Sequence, residues 1–404
     1  MERSIAHMDL DTFFVSVERL QNSSLEGKPV IIGGQSNRGV VASCSYEARA
    51  YGVSSAMPMK TARQLCPHGV YIRGDSGLYS KYSNLVTDVI RDTVPLYEKS
   101  SIDEFYLDLS GMDRFFGCLR IAADLKERIK QETGLPISFG LSVNKTVSKV
   151  ATGQAKPAGQ LQIDRGTEKG FLAPLSVRKI PGVGAETYKT LRTLGIEKIL
   201  TLQEMPSELM ERTLGKNGMD IWKKAQGIDN SPVLAWHERK SISSERTFDR
   251  DTIDVAKLKS ILAAMTESLA YQLRKGNKLT QCVTVKVRYS DFNTHTLQQR
   301  IPYSSADHHL IPKVKEMFDR LYNRRLLVRL IGVRFSELVE GAYQINLFED
   351  TAEMMQLYQA MDRIRNRYGD RSVMRVEGMM ARSIGRDDNP FDGSAPILLA
   401  NRKT

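Results

Sequence analysis

The chain has 404 residues, 41% hydrophobic and 26% charged, with a formal charge of +11 from 58 Lys and Arg against 47 Asp and Glu. That length asks for two to four domains, and the composition excludes a disordered chain. No apolar run reaches the ~20 residues that span a bilayer, and the basic excess favours a polyanionic partner.

The start, Met1-Glu2-Arg3-Ser4, lacks a signal-peptide pattern, which predicts a cytoplasmic protein. Cys44, Cys66, Cys118 and Cys282 form neither a CxxC pair nor a zinc-spaced cluster, which predicts free thiols in a reducing compartment. Residues 4–8 alternate weakly and end at Asp9, as a short strand does, and residues 13–20 have helical spacing. β-Branched strands are predicted at 30–32 and 40–42, set apart by Gly33-Gly34 and Asn37-Arg38-Gly39. A helix at 78–94 follows, then strands at 96–100 and 105–109 joined tightly at 101–104. A long amphipathic helix at 114–132, a strand at 137–141 and a helix at 145–155 complete this part. With residues 11–73 set aside as an insertion, the order is β-α-β-β-α-β. This is the split βαβ, ferredoxin-like arrangement, in which the first and third strands are neighbours.

Residues 165–230 read as short helices and turns, and 231–240 as a linker containing Pro232. Segments 241–247, 255–275, 282–289, 296–302, 307–322 and 328–335 repeat β-α-β-β-α-β. This second module has no acidic cluster and is basic through Lys286, Arg288, Arg324, Arg325 and Arg329. The tail after residue 341 mixes a helix at 354–368 with an Asp/Asn/Pro/Gly-rich end of disordered composition. The expected fold class is α+β and multidomain.

His7-Met8-Asp9-Leu10-Asp11 puts carboxylates at a strand end, and Ser101-Ile102-Asp103-Glu104 puts two more where the second strand turns into the third. Taken singly, each group reads as solvated turn acids; the expected sheet brings them to one edge. Like charges in one site raise each other's pKa unless something offsets them. Two Mg²⁺ ions do so, because hard cations prefer carboxylate oxygens. At about 4 Å apart they clamp the attacking and leaving oxygens of an in-line phosphoryl displacement. Asp9 and Asp103 are then the bridging ligands, Glu104 holds the ion that activates the attacking hydroxyl, and the Leu10 carbonyl supplies a further oxygen.

Residues 10–14 open a helix whose N-terminus attracts phosphate. Phe13 and Phe14 cannot share a helix face. A ring turned out of the core against a sugar C2′ clashes with a 2′-hydroxyl; the alternative is that both rings are core. Tyr46 and Arg49 share a helical face and offer a phenol and a planar fork to a triphosphate. Lys156, in Ala155-Lys156-Pro157-Ala158-Gly159, adds a point charge. Each of these alone is also ordinary surface chemistry. Ile180-Pro181-Gly182-Val183-Gly184, with Leu194-Gly195-Ile196 after it, has the pattern of a helix-hairpin-helix. Its small turn exposes N–H groups at Gly182 and Gly184 to a DNA phosphate without reading sequence. Gln344-Ile345-Asn346-Leu347-Phe348 reads equally as a packed tail or a docking peptide.

Four segments taken in order, Met8-Asp9-Leu10-Asp11-Thr12-Phe13-Phe14, Ser45-Tyr46-Glu47-Ala48-Arg49, Ser100-Ser101-Ile102-Asp103-Glu104 and Ala155-Lys156-Pro157, resemble the Y-family translesion DNA polymerases of the bacterial polymerase IV type. The likeness covers nearly the whole chain to about Phe348. It implies a palm (1–10 and 74–164), fingers (11–73), a thumb with the helix-hairpin-helix (165–230), a linker (231–240), a little finger (241–341) and a tail (342–404). It also implies template-directed DNA synthesis of low fidelity past damaged bases, without a proofreading nuclease, by a monomer that takes primed template DNA and dNTPs. By it Asp9 and Asp103 are metal ligands for two Mg²⁺ ions and Glu104 is the catalytic carboxylate. Phe13 and Phe14 meet the nucleotide, Phe14 as the steric gate, and Ser43, Tyr46, Arg49 and Lys156 hold it. Gln344, Leu347 and Phe348, in the peptide 344–348, bind the replication sliding clamp. Gly34, Val40, Ala42 and Ala56 are the matching positions over the nascent base pair, small enough to admit damaged bases. Phe105 stands where the family has Ala, and about fifty residues follow the clamp peptide. The rivals are a palm-fold nucleotidyl cyclase, which needs neither hairpin nor second module, and a non-catalytic DNA- or clamp-binding factor, which gives costly buried acids no use.

Overall fold

The computed structural model describes residues 3–112, 117–236, 238–341, 352–369 and 372–378. β1 (Ile5–Leu10) is buried along its length except at Asp9, and runs into α1 (Phe13–Gln21) through Thr12, whose φ of 42° turns the chain sharply. β2 (Val30–Gly33), β3 (Val41–Cys44), α2 (Tyr46–Ala50), α3 (Met59–Leu65) and β4 (Val70–Ile72) follow, with β2 central in a three-stranded sheet. Ile31, Val41, Cys44, Ala48, Met59 and Ala62 close its small core. Two backbone runs touch there. A Cβ on Gly33 would sit 2.3 Å from the Val40 carbonyl oxygen, and one on Gly39 2.8 Å from that of Gly34.

α4 (Ser76–Thr93), capped by the Asp75 carboxylate on the Gly77 and Leu78 amides, brings the chain back to β5 (Tyr97–Lys99) and β6 (Glu104–Asp108). α5 (Cys118–Thr133), β7 (Ile137–Ser142), α6 (Lys145–Ala155) and β8 (Gln160–Gln162) follow. The sheet order is β5-β6-β1-β7-β8, antiparallel except for β7 with β8. The expected element order and the pairing of first and third strands both hold, and Asp9 lies opposite Glu104 in register. α4 and α5 cover one face, where Val86, Ile90, Leu125 and Ile129 meet Met8, Phe105 and Phe139. The expected helix at 114–132 is described from Cys118; residues 113–116 lie outside the described residues. β4 and β8, three residues each, were not anticipated; β8 is too polar and short to show a period.

α7 (Glu168–Leu172), α8 (Ala185–Thr193), α9 (Ile199–Glu204) and α10 (Ser207–Ala225) pack around Leu172, Leu191, Ile196, Leu202 and Ile221, and onto Val147 and Ala151 of α6. The segment leaving α10 is fastened to the five-stranded sheet. Arg3 donates to the carbonyls of Asp229 and Ser231, and Lys145 to the Pro232 carbonyl at 3.2 Å. Glu98 accepts from Lys145 at 2.7 Å and from the Leu234 amide at 2.8 Å, and Val233 is buried against Ile5 and Tyr106.

β9 (Ser241–Thr252), α11 (Val255–Lys275), β10 (Lys278–Tyr289), β11 (Thr294–Ser304), α12 (Asp307–Leu321) and β12 (Val328–Glu340) form the second module. Its antiparallel sheet has the order β11-β10-β12-β9. Val283, Val285, Val287 and Tyr289 point to the helices and are buried. Alternation along each strand puts Lys286, Arg288 and Arg334 on the opposite face. Arg38, between β2 and β3, bridges to this module by pairing with Asp251 and donating to the Phe248 carbonyl at 2.9 Å. α13 (Ala352–Tyr368) packs behind α11, where Arg365 pairs with Glu267 and Arg274 with Asp307 and Asp362. Residues 344–348 lie outside the described residues.

Candidate active site

The acids meet because β1 is an interior strand. Its Leu10 amide donates to the Asp103 carbonyl at 3.0 Å, which fixes the bend before β6 against the end of β1. Asp9 is largely buried, and its carboxyl is pushed up to about 7, first by burial and then by the charges of Asp103 and Glu104, with Lys156 opposing. Burial also raises the Asp103 carboxyl, against the Ser101 hydroxyl that donates to it at 2.6 Å. Two ammonium groups answer the acids: Lys156 Nζ lies 2.5 Å from Asp9 Oδ1, and Lys149 Nζ 2.5 Å from Glu104 Oε2.

Among the described residues no three acidic or imidazole side chains already enclose a cation position. The donor set nevertheless suits a hard divalent ion. It consists of carboxylate oxygens on one edge, and burial, with their mutual repulsion, raises two of these groups, Asp9 and Asp103, despite the Lys156 charge beside them. Such ions complete their shell with substrate phosphates rather than a protein cage.

Phe13 and Phe14 differ in burial. Phe13 is core, whereas Phe14 is partly buried at the rim of the core and stacked on Tyr79 with centroids 4.2 Å apart. Tyr79 is fully buried and donates to Glu18 at 2.5 Å, giving Phe14 a fixed backing.

α2 is held by Ser45, whose Oγ caps the Ala48 amide at 3.2 Å and accepts the Val30 amide at 3.1 Å. It carries Tyr46 half-buried and Arg49 exposed, the guanidinium 4.9 Å from the phenol centroid. The Tyr46 hydroxyl is pushed up to about 12, chiefly by burial and then by the charge of Asp11. Ser43 sits opposite Ile32 on β3, partly exposed on the same small sheet. There the Ala56 amide donates to the Val41 carbonyl next to Ala42, and Val40 is 55% exposed.

Asp11, grouped in the sequence with the acidic centre, is taken up elsewhere: it accepts from Ser138 and from the Ala158 amide. Gly182 stands at φ 102°, a conformation that favours glycine, and Gly184 leads into α8, whose first-turn amides have no preceding turn to donate to. A Cβ on Gly184 would meet nothing, so the turn is open to approach. Lys224 braces the turn through the Pro181 carbonyl at 2.9 Å.

The sequence reading missed Lys149, Ser101, Ser138 and Tyr79. A signal for the first existed. Lys145, Lys149 and Lys156 recur at i, i+4 and i+11 along α6 and its end, and each pairs with an acid, Glu98, Glu104 and Asp9.

Residues 8–153 match the impB/mucB/samB family, and residues 239–347 match the C-terminal domain of the same family. Residues 178–229 match the domain described as DNA polymerase-iota, thumb domain. DNA polymerase IV of Dehalococcoides mccartyi (strain BAV1) is 37% identical over 375 residues, which is 92% of this chain and 96% of that one. DNA polymerase IV of Methanoculleus marisnigri is 39% identical over 343 residues, 84% of this chain and 95% of that one. A solved structure titled "Y-family DNA polymerase chimera Dbh-Dpo4(243-245)-Dbh" superposes with a TM-score of 0.74 at 26% identity, over 84% of this chain and all of that one. The chain belongs to the Y-family DNA polymerases, in the DNA polymerase IV group. Membership decides against the cyclase and the non-catalytic factor.

Proposed function

We propose that this polymerase joins nucleotides at the edge shared by Asp9, Asp103 and Glu104, with the primer 3′-hydroxyl attacking the α-phosphorus of a bound dNTP and pyrophosphate leaving. Template-directed synthesis of low fidelity past damaged bases comes with the family. The observation that carries the placement of the chemistry is the register of β1 with β6, Asp9 opposite Glu104, with the Leu10 amide on the Asp103 carbonyl.

Asp9, Asp103 and the Leu10 carbonyl would hold the metal, with Glu104 beside the primer terminus. Divalent metal use goes with the family; that the metal is Mg²⁺, two per site, is our reading. Bound there, two Mg²⁺ ions lower the pKa of the attacking hydroxyl and offset charge on the phosphates. Phe14, backed by Tyr79, acts as the steric gate beneath the sugar, with Phe13 behind it in the core. Ser43, Tyr46, Arg49 and Lys156 hold the triphosphate, Lys156 exchanging Asp9 for phosphate. Gly182 and Gly184 present amides to a DNA phosphate. Gly34, Val40, Ala42 and Ala56 make a thin roof over the nascent pair. The palm, fingers, thumb, linker, little finger and tail keep the boundaries given above. The enzyme works as a cytoplasmic monomer and meets the sliding clamp through Gln344, Leu347 and Phe348.

Primer extension tests the core of this. Extension of a primed template with dNTPs and Mg²⁺ is expected, and is lost in Asp103→Ala and Glu104→Ala. Template-independent cyclic nucleotide, or binding without synthesis, would refute it. For the clamp, Leu347→Ala with Phe348→Ala is expected to remove stimulation by the clamp and spare basal synthesis; equal loss of both would make the segment structural.

A further inference from the structure

Asp11 is only 2% exposed, yet four groups from three distant parts of the chain gather on its carboxylate. The Ser138 hydroxyl of β7 lies 2.8 Å from Oδ2 and 3.0 Å from Oδ1. The Ala158 amide donates to Oδ2 at 2.6 Å. The Lys156 ammonium is 3.5 Å from Oδ1, and the Tyr46 hydroxyl of α2 reaches the same oxygen at 3.5 Å. The backbone of Asp11 is itself fixed, its amide donating to the Pro136 carbonyl at 2.9 Å. Ser138 is tied in turn to the Gly159 amide at 3.3 Å. Asp11 and Ser138 thus grip residues 158 and 159, the turn that follows Lys156.

A carboxylate with the Ser138 hydroxyl and the Ala158 amide on it, and the Lys156 ammonium already beside it, offers a metal ion little. What it gathers instead is the segment that aims Lys156 and, through a longer contact, the phenol of Tyr46. A contact of 3.5 Å is weak, so Tyr46 exchanges it readily for a phosphate oxygen. The grip on Ala158 is short and buried, and persists.

We propose that Asp11 is a positioning residue that aims Lys156, and secondarily Tyr46, at the triphosphate of the incoming nucleotide. It touches neither nucleotide nor reacting atoms. The proposal rests on Lys156 and Tyr46 being triphosphate contacts. A side chain ordered before binding does not have to be ordered by the ligand, so the gain falls on nucleotide affinity.

Asp11→Asn separates this role from folding. The amide oxygen still accepts from Ala158 and the NH₂ donates to Ser138, so the turn that carries Lys156 stays in place, while the charge at Oδ1 that fixes the direction of the Lys156 ammonium is gone. The readout is dNTP affinity on a dideoxy-terminated primer–template with Mg²⁺, where no chemistry occurs, beside DNA affinity and melting temperature. Asp11→Asn is expected to weaken dNTP binding about tenfold, with DNA affinity and the rate at saturating dNTP within about twofold. Added to Lys156→Met, it should cost less than about twofold more, because it acts through that lysine.

If Lys156→Met and Tyr46→Phe weaken dNTP binding and Asp11→Asn does not, the proposal is overturned while the triphosphate assignment stands. If neither of those variants weakens it, the assignment falls first and the proposal with it. Tighter dNTP binding in Asp11→Asn would mean that the carboxylate merely repels phosphate. A parallel fall in dNTP affinity, DNA affinity and melting temperature would mean a purely architectural role. Either result refutes positioning.

Discussion

Two four-stranded cores in this chain have the same element order, β-α-β-β-α-β, and different strand orders. In the N-terminal core the first strand is interior, in β5-β6-β1-β7; in the C-terminal core it is the edge, in β11-β10-β12-β9. The interior position lays the end of β1 against the β5–β6 turn, so Asp9 meets Asp103 and Glu104. The edge position leaves β12 standing between β9 and the turn that joins β10 to β11. No equivalent meeting is possible there, and the open face carries Lys286, Arg288 and Arg334 instead. Strand order, not the list of elements, is what separates the acidic edge, where we place the chemistry, from the basic face, to which we assign the grip on DNA.

That division makes contrasting demands. Glu104→Ala should lower extension most, by on the order of 10³-fold, if several kcal/mol of charge stabilisation is lost, and leave DNA affinity unchanged. A matching loss of DNA affinity would break the comparison. Phe14→Ala should raise ribonucleotide incorporation by on the order of 10²-fold, through removal of a steric clash rather than a contact; unchanged sugar selectivity would remove the gate assignment. In the C-terminal core, replacing Lys286, Arg288 and Arg334 together by Ala should weaken primed-DNA binding and flatten its salt slope by ~3, about 0.9 per phosphate contact. The rate at saturating DNA should hold, and a reduced rate with an unchanged slope would contradict grip as the role of this face.

The smallest effect concerns stability in the absence of divalent ions. The Asp9 carboxyl is raised from its ordinary 3.8 to about 7, so the folded protein keeps a proton that the unfolded chain has released. Stability from this group is complete below pH ~4 and is lost as pH rises through 7. Asp9→Asn should therefore stabilise at pH 8 and do nothing at pH 4. We expect about 2 kcal/mol, half of what such a shift carries, because water reorganises around the ionised carboxylate. Melting at the two pH values checks this; an equal gain at both would mean that the Asp9 charge is not the cause.

The N-terminal core was legible because a local signal and a topological rule coincide: acids at the end of 4–8 and in the turn 101–104 match a βαββαβ rule that makes those strands neighbours. The same periodicities at 241–335 could not say which strand takes the edge, since alternation reports burial of a face and not the neighbour. Phe13 and Phe14 were open between gate and core because spacing shows only that they diverge; the burial of Tyr79 beneath Phe14 depends on a helix sixty residues on. Asp11 was grouped with the acidic centre for the same reason, since its partners Ser138 and Ala158 are far along the chain.

Among the described residues, the last one ahead of the C-terminal core with a hydrogen bond to the N-terminal core is Leu234, whose amide is held by Glu98. From there to Ser241, the first residue of β9, seven peptide steps reach no more than ~25 Å. The leash is therefore short. On the reading that the basic face grips a duplex, letting go leaves it within a few nanometres, at an effective concentration in the millimolar range. Re-engagement is then intramolecular, and losing the substrate altogether requires both halves to release within one brief interval.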